Sequence, residues 1–599
     1  MPAALVPARL AFAADGTPFS ETYGDVYHSA AGGLEQARHV FLAGNGLPGR
    51  WRGRRAFTVL ETGFGFGLSF LATWQAWRDD AQRGDRLHFV SIEKHPFEAR
   101  DLERLVRGLP FGNELAARWP LLVPGLHRLE FEDGRVVLTL ALGDVADVLP
   151  QLQLAADAIY LDGFAPAKNP QMWEPRLLRH LGRVAAPGAT LATWTVAVQV
   201  RTAVEGAGFA LQKEEGFGGK REMLRGSLIP RKKAATAEAP GRSAVVVGAG
   251  MAGAAVAERL AARGWAVTVL ERRAQPAMEA SGNHAGVFHP IVSPDDSLFA
   301  RFTRAAYLHL LRRWPALEGL AWDRCGVLQL ARDERERASQ ARAIAALGYP
   351  GAYASLDAAR GGLWFPQSGW VRPPSLVRAL LARPGIDARF DANVDALSRD
   401  EAGWTAKDGA GRILAAAPVV VLANAADALR LAPQPHVRLR EVRGQVTHLP
   451  AIRGLDHVVL KGGMALPGVD GISVVGASYD IDDRDPALRA DSHAGNLERL
   501  AQILPGGVPP TDPAALGGRV GFRAVVRDRL PLAGTMNDAH GAGLFGAFAY
   551  GSRGLLWCGL AGELIASALE GEPLPVERDL AAAVAPGRFA LRAARRGSG

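Results

Sequence analysis

The sequence predicts two α/β units in series. Each is a mostly parallel sheet covered by helices, and the second carries an inserted antiparallel sheet. Three observations predict this. Strand-like and helix-like patterns alternate through residues 1–230. A small, charged, non-periodic stretch, PRKKAATAEAPGRS from Pro230 to Ser243, then interrupts them, and an apolar strand and a helix restart abruptly after it. Beyond the restart, separated strand-like runs become frequent. The expected division is residues 1–230, a linker at 231–243, and residues 244–599.

In the first unit, Phe57 to Glu61, Leu87 to Ile92, Val136 to Leu142 and Ala158 to Leu161 are short apolar runs with the character of buried strands. Leu68 to Arg78 and Pro96 to Leu105 have helical spacing. In the second unit, Val327 to Leu330, Val419 to Leu422 and Ile472 to Val475 are strand-like. The chain has 599 residues, 48% hydrophobic and 22% charged, which excludes a largely disordered polypeptide. Cys325 and Cys558 are its two cysteines, too few for a disulfide framework, a cysteine zinc site or an iron–sulfur cluster. Such sparing cysteine use matches a reducing cytoplasm. No apolar run approaches the ~18 residues of a membrane span, and the N-terminus lacks the basic region of a signal peptide. The histidines show no H-x-x-x-H spacing, so no metal site is expected, and His284 and His289 are read as structural.

The charge is uneven. Residues 1–230 hold 25 basic and 25 acidic side chains, so the whole excess of +8 lies after residue 230. A basic surface attracts polyanions such as nucleic acid, although arginine-rich composition also follows from a GC-rich source.

The first glycine-rich loop lies in VLETGFGFGLSFL, Val59 to Leu71. A strand ends at Glu61, glycines follow at Gly63, Gly65 and Gly67, and a helix begins near Leu68. A G-x-G-x-G loop after an acidic strand end suits S-adenosylmethionine better than a pyrophosphate, because the sulfonium ligand has no phosphate to place at the helix N-terminus. Glu93 ends the next strand and can accept both ribose hydroxyls. Asp144 ends a later strand and can face the adenine. These features predict a Rossmann-like class I methyltransferase domain. Asp162 opens DGFAPAKNPQMW at a further strand end, where open α/β sheets bind ligands. An acid followed by a turn and an aromatic resembles the fourth motif of amine methyltransferases. There Asp162 can accept the hydrogens of an amine and aim its lone pair at the methyl carbon. The alternative is a simple Asx turn with Phe164 and Trp173 in the core.

The second loop lies in VVVGAGMAGAAVAERL, where Gly248, Gly250 and Gly253 form G-x-G-x-x-G between a strand and a small-residue helix, Ala254 to Arg263. Glu271 ends the next strand at the expected distance. The glycines admit a pyrophosphate to the helix N-terminus, and Glu271 takes the ribose hydroxyls, which disfavours a 2′-phosphate. Two later segments favour FAD over NAD. The loop ASGNHAG, with Ser281, borders the flavin position. GSRG, with Gly551, Arg553 and Gly554, opens a helix whose N-terminus can stabilise negative charge on a reduced flavin. The second literal G-x-G-x-x-G, at Gly541, Gly543 and Gly546, comes after no apolar strand and is read as a coincidence.

With these motifs in hand, nearly the whole chain resembles the bacterial family of bifunctional tRNA 5-methylaminomethyl-2-thiouridine biosynthesis proteins. The matching segments are YGDVYHS, FLAGNGLPGRW, ETGFGFGLSFL, DGFAPAKNPQMW and GFGGKREML in the first half. In the second they are VVVGAGMAGA, ASGN, REVRGQV, GFRAVVRDRLPLAG and YGSRGL. The chain departs from the family pattern at Phe66, often a small polar residue, and at Ser69, often Asn. The resemblance implies an FAD domain of amino-acid-oxidase type. It removes the carboxymethyl group of 5-carboxymethylaminomethyl-2-thiouridine at the tRNA wobble position, and a methyltransferase domain then methylates the exposed amine. It also implies that Arg523, in GFRAVVRDRLPLAG, binds the substrate carboxylate. Arg527, Arg529 and Arg553 are rivals for that role, and a phosphate or surface acid is the other partner open to Arg523. No obligate protein partner is inferred. A small-amine oxidase fused to a small-molecule N-methyltransferase, or a non-catalytic tRNA-binding protein, are the other readings.

Overall fold

The structure, a computed structural model, describes residues 4–230, 241–506, 511–536 and 542–597. Most of the expected linker, residues 231–240, lies outside the described residues. The chain forms two compact units, residues 2–238 with 567–578, and residues 239–566 with 579–599.

The first unit is built on eight strands: β1 (Ala56–Glu61), β2 (Arg86–Glu93), β3 (Gly125–Phe131), β4 (Val136–Leu142), β5 (Ala156–Tyr160), β6 (Ala185–Thr193), β7 (Phe209–Glu215) and β8 (Glu222–Leu228). Their order is β7-β8-β6-β5-β1-β2-β4-β3. The five central strands are parallel, while β3 at one edge and the β7–β8 hairpin at the other are antiparallel. β4 is buried at every position, as expected of a parallel strand covered on both faces. Helix α1 (Leu68–Asp79) lays Phe70, Trp74 and Trp77 into a core shared with Phe89 and Phe131. The order reverses at β1, between β2 and β5, and this switch point opens a crevice at the C-terminal ends of the strands.

Two expectations shift locally. The helix expected from Pro96 runs instead over Ala99–Val106, because the Pro96 carbonyl accepts the Ala8 N–H (3.1 Å) and Phe97 bridges Ala8, holding that stretch extended. Residues 567–578, placed in the second half by the sequence pattern, group with the first unit. Arg128 on β3 donates to Ser567 Oγ (2.8 Å) and to the Pro573 carbonyl, and Arg86 on β2 pairs with Glu572 (3.1 Å).

The second unit has a six-stranded sheet: β9 (Ser243–Val247), β10 (Ala266–Leu270), β11 (Ile386–Arg389), β12 (Val419–Leu422), β13 (Leu532–Thr535) and β14 (Leu544–Phe548). The order is β11-β10-β9-β12-β14-β13, parallel except for the β13–β14 pair. A nine-stranded sheet drawn from residues 327–526 is inserted among these strands and is antiparallel but for one pair. Of the coincidental glycine motif, Gly546 lies inside β14 and Gly541 outside the described residues.

Helix α2 (Met251–Ala261) starts directly after Gly250, three residues earlier than the pattern suggested. Gly253 therefore lies within it, where a Cβ would fall 1.9 Å from the Gly248 carbonyl oxygen. Gly253→Ala should push the helix off its loop and destabilise the unit by about 1–3 kcal/mol. Chemical unfolding followed by circular dichroism checks this, and an unchanged midpoint would refute it.

Candidate functional site

A cavity of about 480 Å³ opens at the C-terminal ends of β1, β2, β4 and β5. Its floor is the glycine loop. Gly65 and Gly67 hold φ of 56° and 90°, which costs little only without a Cβ. Gly63 backs against Asp162, whose carbonyl would lie 3.3 Å from an added Cβ. Glu93 accepts the Gly65 N–H through Oε2 and the His95 N–H through Oε1, both at 2.7 Å. Burial raises its pKa against these bonds. Each oxygen keeps lone-pair capacity for a further donor. Asp144 pairs with Lys94 (2.9 Å) and caps the short helix Val145–Val148 through the Ala146 N–H.

Asp162 lines the same cavity. Its Oδ1 accepts the Gly163 N–H (2.8 Å) and the Trp194 indole N–H (3.1 Å). Desolvation pushes its pKa up to about 6, against those two bonds and the charge of Lys220. The donor Gly163 N–H is the next residue along, one short of an Asx turn; Trp173 is core as that reading expects, while Phe164 stands on the cavity wall with the carboxylate. Tyr23, Tyr27, Phe66, Phe164 and Trp194 wall the space, with Tyr23 stacked on Phe164 at 4.7 Å. Tyr23, Tyr27, Trp194 and Lys220 escaped the motif reading, because they come from segments scattered through the unit, whereas Phe66 and Phe164 lie in the quoted loops. The only local signals were YGDVYHS and GFGGKREML.

Glu61 and Gly67 do not reach the cavity wall. Glu61 is cross-strand partner of Ser91, whose hydroxyl donates to it at 2.6 Å, and the carboxyl lies buried between β1 and β2. Desolvation holds its pKa well above the usual carboxylate range. Gly67 instead starts α1 in the left-handed region.

The second cavity, about 610 Å³, opens beyond β9, β10 and β12. Gly248, Gly250, Glu271, Ser281, Gly551, Arg553, Gly554 and Arg523 all line it, whereas Gly253 serves helix packing. Glu271 accepts the Ala249 N–H (2.8 Å) and the Arg273 N–H (2.9 Å). Ser281 Oγ accepts the Met251 N–H (3.1 Å) at the start of α2. Asn424 and Tyr550, also on the wall, each hold a buried polar atom without a hydrogen bond.

Arg523 reaches this cavity from the strand Gly518–Val526. Its guanidinium lies over Gly444, where a Cβ would fall 2.5 Å from Cζ, and beside the Tyr479 ring. It donates to the Ser478 carbonyl (3.3 Å), and burial lowers its pKa. Arg553 sits over Phe299, and burial and Arg529 bring its pKa down to about 10. Arg527 and Arg529 are not on the wall. His289 is, but desolvation and Arg553 press its pKa down to about 3, which keeps it neutral. His284 bonds the Val469 carbonyl (2.8 Å) away from the cavity.

The residues present fit both cofactors. The first cavity offers carboxylates for hydroxyls and an acid for an amine at a switch point. The second offers a glycine cradle that a side chain would fill, a carboxylate, and buried polar atoms lacking partners. A family model for FAD dependent oxidoreductases matches residues 243–568, and one for S-adenosyl-L-methionine-dependent methyltransferases matches residues 109–229. The chain is thus a bifunctional enzyme joining an FAD-dependent oxidoreductase to an S-adenosylmethionine-dependent methyltransferase. It is 50% identical to a tRNA 5-methylaminomethyl-2-thiouridine biosynthesis bifunctional protein of Paraburkholderia phytofirmans, over 99% of both chains. It is also 50% identical to the protein of that name from Burkholderia multivorans, again over 99% of both. The chain belongs to this family of bifunctional proteins. Among solved structures, a glycine oxidase from Bacillus cereus matches 55% of this chain and 97% of its own, at 21% identity and a TM-score of 0.46.

This geometry has two testable outcomes. At Gly250 a Cβ would sit 3.1 Å from Ser281 Oγ, so the larger Gly250→Val should yield protein without the yellow flavin spectrum that still transfers methyl groups. Stoichiometric FAD in that variant would contradict the assignment. Asp162 binds its proton more tightly folded than unfolded, since its pKa rises from 3.8 to about 6. Its stabilising contribution is therefore complete below the unfolded value and lost as pH rises through 6. Asp162→Asn should melt close to the wild type near pH 4 and about 6–12 °C higher at pH 8, from about 3 kcal/mol at about 2–4 °C per kcal/mol. A gap that does not widen with pH would refute this.

Proposed function

We propose that this enzyme completes the side chain of a wobble 2-thiouridine in tRNA, in two steps. The second unit converts 5-carboxymethylaminomethyl-2-thiouridine to the aminomethyl base, and the first unit methylates that amine. The observation that carries the reading is Arg523, a half-buried guanidinium on the wall of the flavin cavity with no ion-pair partner among the described residues. The substrate carries one carboxylate, on the group to be removed, and a guanidinium can hold it with two charge-assisted hydrogen bonds. The alternative small-amine oxidase is not favoured, since relatives named for tRNA biosynthesis match 99% of the chain.

FAD, when bound, supplies the two-electron oxidant. Arg523 fixes the carboxylate and so places the adjacent methylene, leaving the tRNA-linked side outward. Loss of a hydride and a proton from the carbon–nitrogen bond gives an imine, and water splits it into the aminomethyl base and a two-carbon oxo acid. Gly248, Gly250, Glu271 and Ser281 would hold the dinucleotide, and Gly551, Arg553 and Gly554 the flavin end. In the first unit Gly63, Gly65, Glu93 and Asp144 would hold S-adenosylmethionine, while Asp162 accepts the amine hydrogens and directs the lone pair at the methyl carbon. Methyl transfer is assigned to residues 1–230, oxidation to residues 244–599, with residues 231–243 as the link. A tRNA substrate places the enzyme in the cytoplasm. Among the described residues no helix is long and apolar enough to cross a membrane.

Mass spectrometry of wobble nucleosides from a deletion strain tests the whole reading. Complementation with Asp162→Ala should accumulate the aminomethyl base, with methyl transfer reduced about 10²–10⁴-fold. Arg523→Leu should keep FAD and tRNA binding but lose anaerobic bleaching of the flavin by carboxymethylaminomethyl tRNA. Normal bleaching would move the role to Arg553, the rival on the same wall.

A further inference from the structure

The segment GFGGKREML contains a side chain to which the two proposed steps give no task. Lys220 lies in the turn between β7 and β8. Gly218 and Gly219 carry φ of 60° and 86° there, and Gly216 packs so closely that a Cβ would fall 2.2 Å from the Lys220 carbonyl oxygen. Gly216 N–H donates to Arg221 O and Lys220 N–H to Phe217 O, both at 3.2 Å, closing the turn. The turn delivers Lys220 to the wall of the first cavity, its side chain still open to solvent, with Nζ 3.4 Å from the centre of the Trp194 ring. Trp194 in turn donates to Asp162. An ammonium and the carboxylate that receives the amine therefore flank one indole.

The carboxylates that face Lys220 are Asp162 and Asp25. They oppose the fall in its pKa that burial causes. Asp25 is already engaged by Lys168 (3.5 Å) and by the Ala165 N–H (2.9 Å). Glu222, on the same hairpin, is taken by Lys213 (2.7 Å). Across the cavity, Lys94 and Asp144 neutralise each other, and Glu93 is bonded to backbone N–H groups.

We propose that Lys220 selects the neutral amine for methyl transfer, resting on the methylation reading above. Its fixed positive charge beside Asp162 keeps that carboxylate ionised and disfavours a substrate nitrogen that arrives as ammonium. Only the neutral nitrogen has the lone pair that forms the new nitrogen–carbon bond. As it forms, the carbon–sulfur bond breaks, its electron pair leaves with sulfur, and the product ammonium then sheds its proton. A like charge in a partly buried cavity lowers the pKa of the bound amine, and an opposite charge lowers that of Asp162. Lys220 thus acts as a positioning residue through its field.

The test is kcat for methyl transfer by the full chain, at saturating S-adenosylmethionine and aminomethyl tRNA, from pH 6 to 9.5. The kcat profile reports groups in the bound complex. Lys220→Met should move the acid limb up by about one pH unit, a tenfold loss on the limb, with the alkaline plateau largely recovered. That recovery shows a folded enzyme. Lys220→Arg should keep the wild-type limb. An unmoved limb with a raised KM for tRNA, as expected of a phosphate contact, would overturn the proposal. So would an equal loss at every pH. Absence of methyl transfer by the wild-type chain would remove the underlying reading, and this inference with it.

Discussion

One hydrogen-bonding device recurs at both sites, and the cavities depend on it. At the end of the strand next to each glycine loop stands a glutamate, Glu93 closing β2 and Glu271 directly after β10. One carboxylate oxygen takes an N–H of the loop, from Gly65 or Ala249, and the other takes the N–H two residues further along its own chain, from His95 or Arg273. The loop is thereby tied to the neighbouring strand, and the same carboxylate stands on the cavity wall. A buried carboxylate is costly without such donors. With them it sets the height of the loop, so the group proposed to address a ribose also shapes the floor beneath it.

Around this shared scaffold the two cavities place different charged groups at the positions proposed for the reacting atoms. The first gathers Glu93, Asp144 and Asp162 among aromatic rings, an environment for a sulfonium donor and an amine acceptor. The second brings Arg523 and Arg553 into a largely buried space, an environment for a carboxylate and an electron-rich ring. In each case burial pushes the charged group away from its ordinary pKa, upward for Asp162 and downward for the arginines. A ligand of the right sign relieves that cost, and one of the wrong sign adds to it.

Local patterns in the chain already specify the strand–loop–helix units and the acids at the ends of the neighbouring strands. Each depends on residues within a turn or two of one another, and Val136–Leu142 and Val419–Leu422 fall on their expected bounds. Which of the motif residues line a cavity was settled only by tertiary packing. Glu61 and Gly253 look like their neighbours in sequence, yet strand register turns one toward Ser91 and helix packing presses the other against Gly248. Trp194 and Tyr479 carry no motif of their own, and with Tyr23 and Lys220 they enter the walls because distant segments converge there. The physical reason is one of range. Backbone conformation follows from local sterics, whereas the direction a side chain faces follows from register and packing between strands far apart in the chain.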